Sequence, residues 1–171
     1  MQPLFAPWRN DNDDSADDAS GASGSDVLTR IAQADPADDA ENLVLLREGA
    51  LVVVMNRYPY TSGHLLVIPV RAVTAWDALA PEERAAMGEM AARAMGWLRE
   101  ISQPDGFNLG VNQGSAGGAG VPEHLHLHVV PRWEADTNFM AAVGETPIVP
   151  ESLEATYAKL RAVVARESGA A

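Results

Sequence analysis

Glu123-His124-Leu125-His126-Leu127-His128-Val129-Val130-Pro131-Arg132-Trp133 holds three of the chain's four histidines at every second position, with Leu125, Leu127 and Val129 alternating between and after them. Apolar and polar residues in strict alternation are the pattern of a half-buried strand. Side chains on a strand alternate faces at about 3.3 Å per residue, so the three imidazoles are expected in one row, neighbours roughly 6 to 7 Å apart. Three readings compete for this row. The histidines could simply occupy a solvated sheet face, although His is not a favoured strand residue. A His-x-His pair could place two ligands on one metal ion. Or one imidazole, neutral near pH 7 because its ordinary pKa is about 6.5, could attack phosphorus while its neighbours orient it and donate protons.

The residues upstream favour the third reading. Phe107-Asn108-Leu109-Gly110-Val111-Asn112 runs into Gln113-Gly114-Ser115-Ala116-Gly117-Gly118-Ala119-Gly120, and six of the 14 glycines fall between Gly106 and Gly120. Such a backbone can turn sharply and bring successive N–H groups near an anion. No Gly-Lys-Ser/Thr follows, so this is not a P-loop.

His124-Leu125-His126-Leu127-His128-Val129-Val130, preceded by Asn112-x-Gly114 and its glycines, resembles the signature of the histidine triad (HIT) superfamily of nucleotide hydrolases and transferases. Similarity extends to Leu4-Phe5-Ala6-Pro7-Trp8-Arg9, to Asn56-Arg57-Tyr58-Pro59-Tyr60 with Gly63-His64, and to Val129 through Trp133 with Asp136 and Asn138-Phe139-Met140. These stretches resemble bacterial members of the diadenosine tetraphosphate phosphorylase or hydrolase type. The resemblance implies an α+β fold with a five-stranded antiparallel sheet, one main helix and a C-terminal helix, assembled as a homodimer. It also implies that His126 is the nucleophile toward an α-phosphate, with His124 and His128 orienting it and stabilising charge. Asn112 and the N–H groups of Gly118, Ala119 and Gly120 are the expected phosphate cradle. Relatives carry Ser or Thr near Gly120, and a glycine where Ala135 stands. Asn56 matches a ribose-contacting position, or else caps a turn. Arg132 either meets a distal phosphate or forms a surface ion pair. His64 supports the triad or serves structure alone, and Trp76, Trp97 and Trp133 are expected to pack rather than stack on a base.

A departure concerns zinc. Relatives carry Cys-x-x-Cys after the Ala-Pro-Trp-Arg segment and a histidine shortly beyond the Ile-Pro that ends the third strand, with His124 as a further ligand. This chain has no cysteine, and Val70-Arg71-Ala72 follows Ile68-Pro69. Structural zinc is therefore expected to be absent and no cofactor to be required, with Mg2+ entering only as a companion of a polyphosphate substrate.

The whole chain bounds these readings. Its 171 residues, 47% hydrophobic, suit one compact domain. No apolar run reaches membrane-spanning length, and the expected location is cytoplasmic. Of the net charge of -12, residues 11 to 41 carry -9, with ten acidic side chains against Arg30 alone. The remainder is nearly neutral and offers no basic stripe for nucleic acid. The expected organisation is an N-terminal docking arm (residues 1–10), an acidic disordered insert (11–26), the HIT domain (27–165) and a flexible tail (166–171). Strands are expected over residues 43–47, 51–57, 64–71, 107–112 and 123–131, and helices over 27–34, over 81–101 and after Pro150.

The function expected is cleavage of dinucleoside polyphosphates through His126, to phosphate or water. The rivals are a nucleoside phosphoramidate or acyl-nucleotide hydrolase, a non-catalytic nucleotide-binding module and a metal-binding β protein. Protein purified without added metal should hold less than one zinc per chain, and a chelator should not move its Tm. One tightly held zinc per chain, found by elemental analysis, would revive the metal reading of the three histidines.

Overall fold

The computed structural model describes residues 27–136 and 151–169. The expected docking arm, the acidic insert, the end of the tail and Asn138-Phe139-Met140 lie outside the described residues. Five strands, β1 (Val44–Glu48), β2 (Leu51–Met55), β3 (Leu65–Pro69), β4 (Gly106–Val111) and β5 (Leu127–Arg132), form one antiparallel sheet in the order β1-β2-β3-β5-β4. Helices α1 (Val27–Gln33), α2 (Pro81–Ser102) and α3 (Leu153–Glu167) pack on it.

The β1–β2 hairpin turns over Gly49 and Ala50, where Gly49 takes φ +59 without the penalty a Cβ would bring. Every residue of β2 and β3 is buried, as their unbroken apolar, largely β-branched sequences require. On α2, Met87, Met90, Ala91, Ala94 and Leu98 recur at three- and four-residue spacing and are all buried. Its first turn is helped by Pro81 and by Glu83, whose carboxylate accepts the Ala80 N–H at 2.8 Å. Arg93 then ties α2 to the hairpin through Glu48 at 2.6 Å and to α3 through Glu167 at 2.8 Å. Trp97 is buried and donates to the same Glu167, and Trp133 donates to Ser102 O at 3.2 Å, so both serve packing as expected.

The fifth strand is shorter than its sequence predicts. Pairing with β3 stops at Val67↔Leu127 and pairing with β4 at Val111↔Leu127, so His124 and His126 precede the ladder and only His128 lies within it. Pro69 gives the physical reason, since it has no N–H with which to extend β3. Its carbonyl is taken instead by the His124 ring at 2.8 Å, while Leu125 N–H donates to Val73 O at 2.6 Å. The uniform row of imidazoles expected from the alternation is thereby corrected: two of them sit on an extended lead-in that other segments hold.

The turn into β3 depends on Gly63, at φ +82, with a built Cβ falling 2.8 Å from Leu98 Cδ2. Gly63→Ala should cost about 1 to 2 kcal/mol for the left-handed backbone, plus some repacking of Leu98. Urea unfolding would show this as a lower midpoint with an unchanged slope.

Candidate active site

Proton positions around the histidines follow from partners that can act in only one way. The Tyr60 backbone N–H donates to His64 Nδ1 at 3.2 Å, and the Asn56 amide nitrogen lies at the same distance. His64 Nδ1 is therefore an acceptor, its proton is on Nε2, and that N–H donates to His128 Nδ1 at 2.9 Å. His128 in turn carries its proton on Nε2. Independently, His126 Nδ1 lies 2.8 Å from the carbonyl oxygen of His124, which can only accept. His126 thus bears its proton on Nδ1 and its lone pair on Nε2. The His126 and His128 rings meet edge to face with centroids 4.8 Å apart.

Burial disfavours the cationic form of His64 and of His126. His64 has no exposed surface, and its pKa falls to about 3 because burial disfavours the cation, with repulsion from His128 and His126 adding to it. The pKa of His126 is lowered chiefly by burial, partly opposed by its hydrogen bond to His124 O. A neutral imidazole is the nucleophilic form. The Tyr60 ring covers the pair, 4.6 Å from His64 and 5.8 Å from His128 between centroids.

His124 plays a different part. Its ring is fully buried, with Nε2–H donating to Pro69 O and Nδ1 2.8 Å from the Thr29 hydroxyl of α1. It orients His126 through its main-chain carbonyl, not through its imidazole. Both His124 nitrogens have protein partners, the chain has no cysteine, and no cluster of three metal-binding side chains occurs among the described residues.

An open groove of about 380 Å³ runs past His128, lined by Tyr60, Thr61, Asn108, Gly110, Asn112 and Arg132, with Val130 and Leu109. Alternation on β4 aligns Asn108, Gly110 and Asn112, and Gly110 pairs with His128, leaving open space where a side chain would stand. A groove of about 420 Å³ between α2 and the β1–β2 turn has an apolar floor of Leu51, Pro69 and Met90 and an acidic rim, and no imidazole lines it. The chemistry belongs to the histidine groove.

Other expected site residues divide. Asn112 lies in the groove and donates to Gly118 O at 3.4 Å, closing the glycine loop. Gly118 N–H and Ala119 N–H donate inside that loop, to Ser115 O at 3.0 Å and Gly114 O at 3.2 Å. Gly120 N–H donates to no backbone carbonyl among the described residues. Asn56 accepts the Tyr58 N–H at 3.0 Å and meets His64, so the structure supplies the turn cap rather than the ribose contact. Arg132 forms a two-pronged pair with Asp136, both contacts 2.6 Å, and donates to Asn108 at 2.8 Å; of its two readings the ion pair is the one present. Ala135 within that turn takes φ +59, which accounts for glycine being common at the position in relatives. His64, Tyr60 and Thr29 were not assigned to the site from sequence. Gly63-His64 carried a signal for the first, and α1 carries no pattern that singles out Thr29.

Above pH 6.5 the folded and unfolded chains both hold these imidazoles largely neutral. Below it the unfolded chain gains protons that folded His64 refuses until about pH 3, so stability is lost on acidification. His126 acts in the same direction. Between pH 6.5 and 5 the loss belongs mainly to histidine, because carboxylates ordinarily titrate near 4. Urea midpoints should fall across that window, and fall less in His64→Gln; a flat wild-type profile would contradict a neutral buried pair.

Comparison with known proteins agrees with this geometry. Residues 38–135 match the HIT domain family. The AP-4-A phosphorylase of Mycobacterium tuberculosis is 36% identical, over 98% of this chain and 86% of its own. The asymmetrical bis(5'-nucleosyl)-tetraphosphatase of Schizosaccharomyces pombe is 31% identical over 54% of this chain and 50% of its own. A zinc-bound histidine triad family protein from Mycobacterium smegmatis superposes with a TM-score of 0.66 at 28% identity, covering 85% of this chain and 96% of that one. With sheet order, histidine geometry and sequence in agreement, the chain belongs to the HIT domain family.

Proposed function

We propose that this protein cleaves dinucleoside polyphosphates such as diadenosine tetraphosphate by nucleotidyl transfer through His126. The observation that carries the reading is the bond from His126 Nδ1–H to His124 O, which leaves the lone pair on Nε2 of a ring packed edge to face against His128. In the first step Nε2 bonds to the α-phosphorus and the bridging P–O bond breaks. The leaving nucleotide departs as an anion, since its terminal phosphate ionises near about 6 and needs no added proton. The His128 Nε2–H is set by its tautomer to donate a hydrogen bond to the developing charge rather than to remove a proton.

In the second step an acceptor oxygen attacks phosphorus and the P–N bond breaks, returning the lone pair to Nε2. Inorganic phosphate arrives already ionised, whereas water must lose a proton, and among the described residues no carboxylate lines the groove to take it. The acceptor in this reading is phosphate, giving ADP and ATP from diadenosine tetraphosphate, and the 36% identical AP-4-A phosphorylase supports it. The reading includes a homodimer, supported by the outer position of β4 with Leu109 half exposed. It also includes a cytoplasmic location, no structural zinc, and a nucleotide rather than a nucleic acid as ligand. Among the described residues no helix is long and apolar enough to cross a membrane.

Product analysis with and without phosphate tests the reaction. Added phosphate should raise the rate and replace AMP by ADP, and His126→Ala should lower turnover at least ~1,000-fold with little loss of nucleotide affinity. Mass spectrometry of quenched wild-type enzyme should find a nucleotidyl adduct on His126. AMP and ATP at saturating phosphate would make the protein a hydrolase, and nucleotide binding without product would make it a binding module.

A further inference from the structure

Thr29, on the short helix α1, has no part in the reaction as described, yet its hydroxyl is the first link of a chain that ends at the nucleophile. Thr29 Oγ1 lies 2.8 Å from His124 Nδ1. Because His124 Nε2–H donates to Pro69 O, Nδ1 of the neutral ring is the lone-pair nitrogen and the hydroxyl donates to it. The carbonyl of the same residue receives the His126 Nδ1–H. That carbonyl precedes β5 and so lies outside the strand ladder. What holds it is the two-ended clamp on its own ring, together with the Leu125 N–H bond to Val73 O.

The helix that presents Thr29 is itself fixed. Leu28 and Ala32 are buried in the core. Arg47 of β1 donates to Ala32 O at 2.7 Å and Ile31 O at 2.9 Å, satisfying carbonyls at the C-terminal end of α1, and pairs with Asp39 at 2.8 Å. The hydroxyl is thus delivered to His124 from a rigid support.

We propose that Thr29 is a positioning residue for nucleotidyl transfer: its hydroxyl locks the His124 ring, and the His124 carbonyl then fixes the tautomer and aim of His126. The proposal rests on the reading of His126 as nucleophile. If Thr29 served packing alone, a methyl group in the same shape would suffice, and Val would replace it without consequence for the reaction.

Thr29→Val keeps the shape and removes the donor; Thr29→Ser keeps the donor. With diadenosine tetraphosphate and phosphate, Thr29→Val should lose about 10- to 100-fold in kcat, the range expected of a misaimed nucleophile, with KM nearly unchanged. Thr29→Ser should stay close to wild type. A second readout does not depend on turnover: ¹⁵N NMR of the ring nitrogens should show His126 protonated on Nδ1 alone in wild type and Thr29→Ser, and a mixture of tautomers in Thr29→Val. Should Thr29→Val fold poorly, Thr29→Ala carries the same expectation in both measurements. Leu160→Ala, in the buried face of α3 away from α1, should lower Tm while leaving kcat and the tautomer alone. Wild-type kcat with a single tautomer in Thr29→Val would overturn the proposal, as would an equal kcat loss in Leu160→Ala, which would assign the effect to lowered stability in general. If the wild-type protein turned over no dinucleotide, the proposed reaction would fail, and the tautomer measurement would still decide whether Thr29 fixes His126.

Discussion

A backbone N–H can only donate, and at Tyr60 that simple fact sets the protonation of two buried imidazoles. The Tyr60 N–H occupies His64 Nδ1, His64 must then donate from Nε2, and His128 must accept on Nδ1. An imidazole in water exchanges tautomers freely, whereas here each ring has one form compatible with its neighbours. Burial completes the constraint, because a second proton on His64 would place a cation in the interior beside two other imidazoles. The result is a fixed N–H donor at His128 that needs no charge to keep its direction.

The three alternating histidines therefore do three different things, and the cause is the point at which the sheet stops. Had pairing between β3 and β5 continued as far as Pro69, ladder bonds would have held the main chain at 125 and 126 and left the Pro69 carbonyl engaged. With no N–H on Pro69, that carbonyl binds the His124 ring, Leu125 is drawn to Val73, and the His124 carbonyl is available to His126. His128, one residue inside the ladder, is placed by pairing with Leu66 and Gly110. Rigid pairing positions the donor, and side-chain clamps position the nucleophile. An active site is held to sub-ångström tolerance only when groups of this kind lock the reacting side chain's own conformation.

Most of the fold was legible in the sequence because it follows from periodicity. The five strands, the long helix and the final helix were placed within a few residues, since apolar spacing records which face is buried. The residues of the triad were legible as well, being defined by spacing. What escaped was direction. Alternation implied that His124, His126 and His128 share a face and a role, and nothing in the pattern says that a ladder ends at Leu127. Arg132 could be read as meeting a phosphate or an ion-pair partner and Asn56 as a ribose contact or a turn cap, and in the fold their side chains meet Asp136 and His64, while the Gly118 and Ala119 N–H groups meet Ser115 and Gly114. A sequence shows which groups can donate; it does not show which acceptors the fold has already brought to them. Thr29 illustrates the same limit, because its partner lies 95 positions away.

The distribution of charge follows from this economy of cations. Arg132, the one cationic side chain lining the histidine groove, is offset by Asp136, and the imidazoles of His64 and His126 are held below their ordinary pKa. In the proposed reading a polyanion would then be held by neutral donors: the His128 N–H, the side-chain amides of Asn108 and Asn112, and the hydroxyl of Tyr60; the Thr61 hydroxyl already donates to Pro131 O at 2.8 Å. Hydrogen bonds to an anion in a partly enclosed groove are stronger than neutral pairs and are less screened by salt than exposed ion pairs. A free cation beside His126 would have served binding but not transfer, because it would stabilise the bound polyphosphate before any charge had moved. Neutral donors of fixed direction favour instead the geometry in which charge has passed to the leaving oxygen, which is where stabilisation raises a rate. The concentration of acidic residues between 11 and 41, away from the triad in sequence, is consistent with a site whose affinity does not come from net charge.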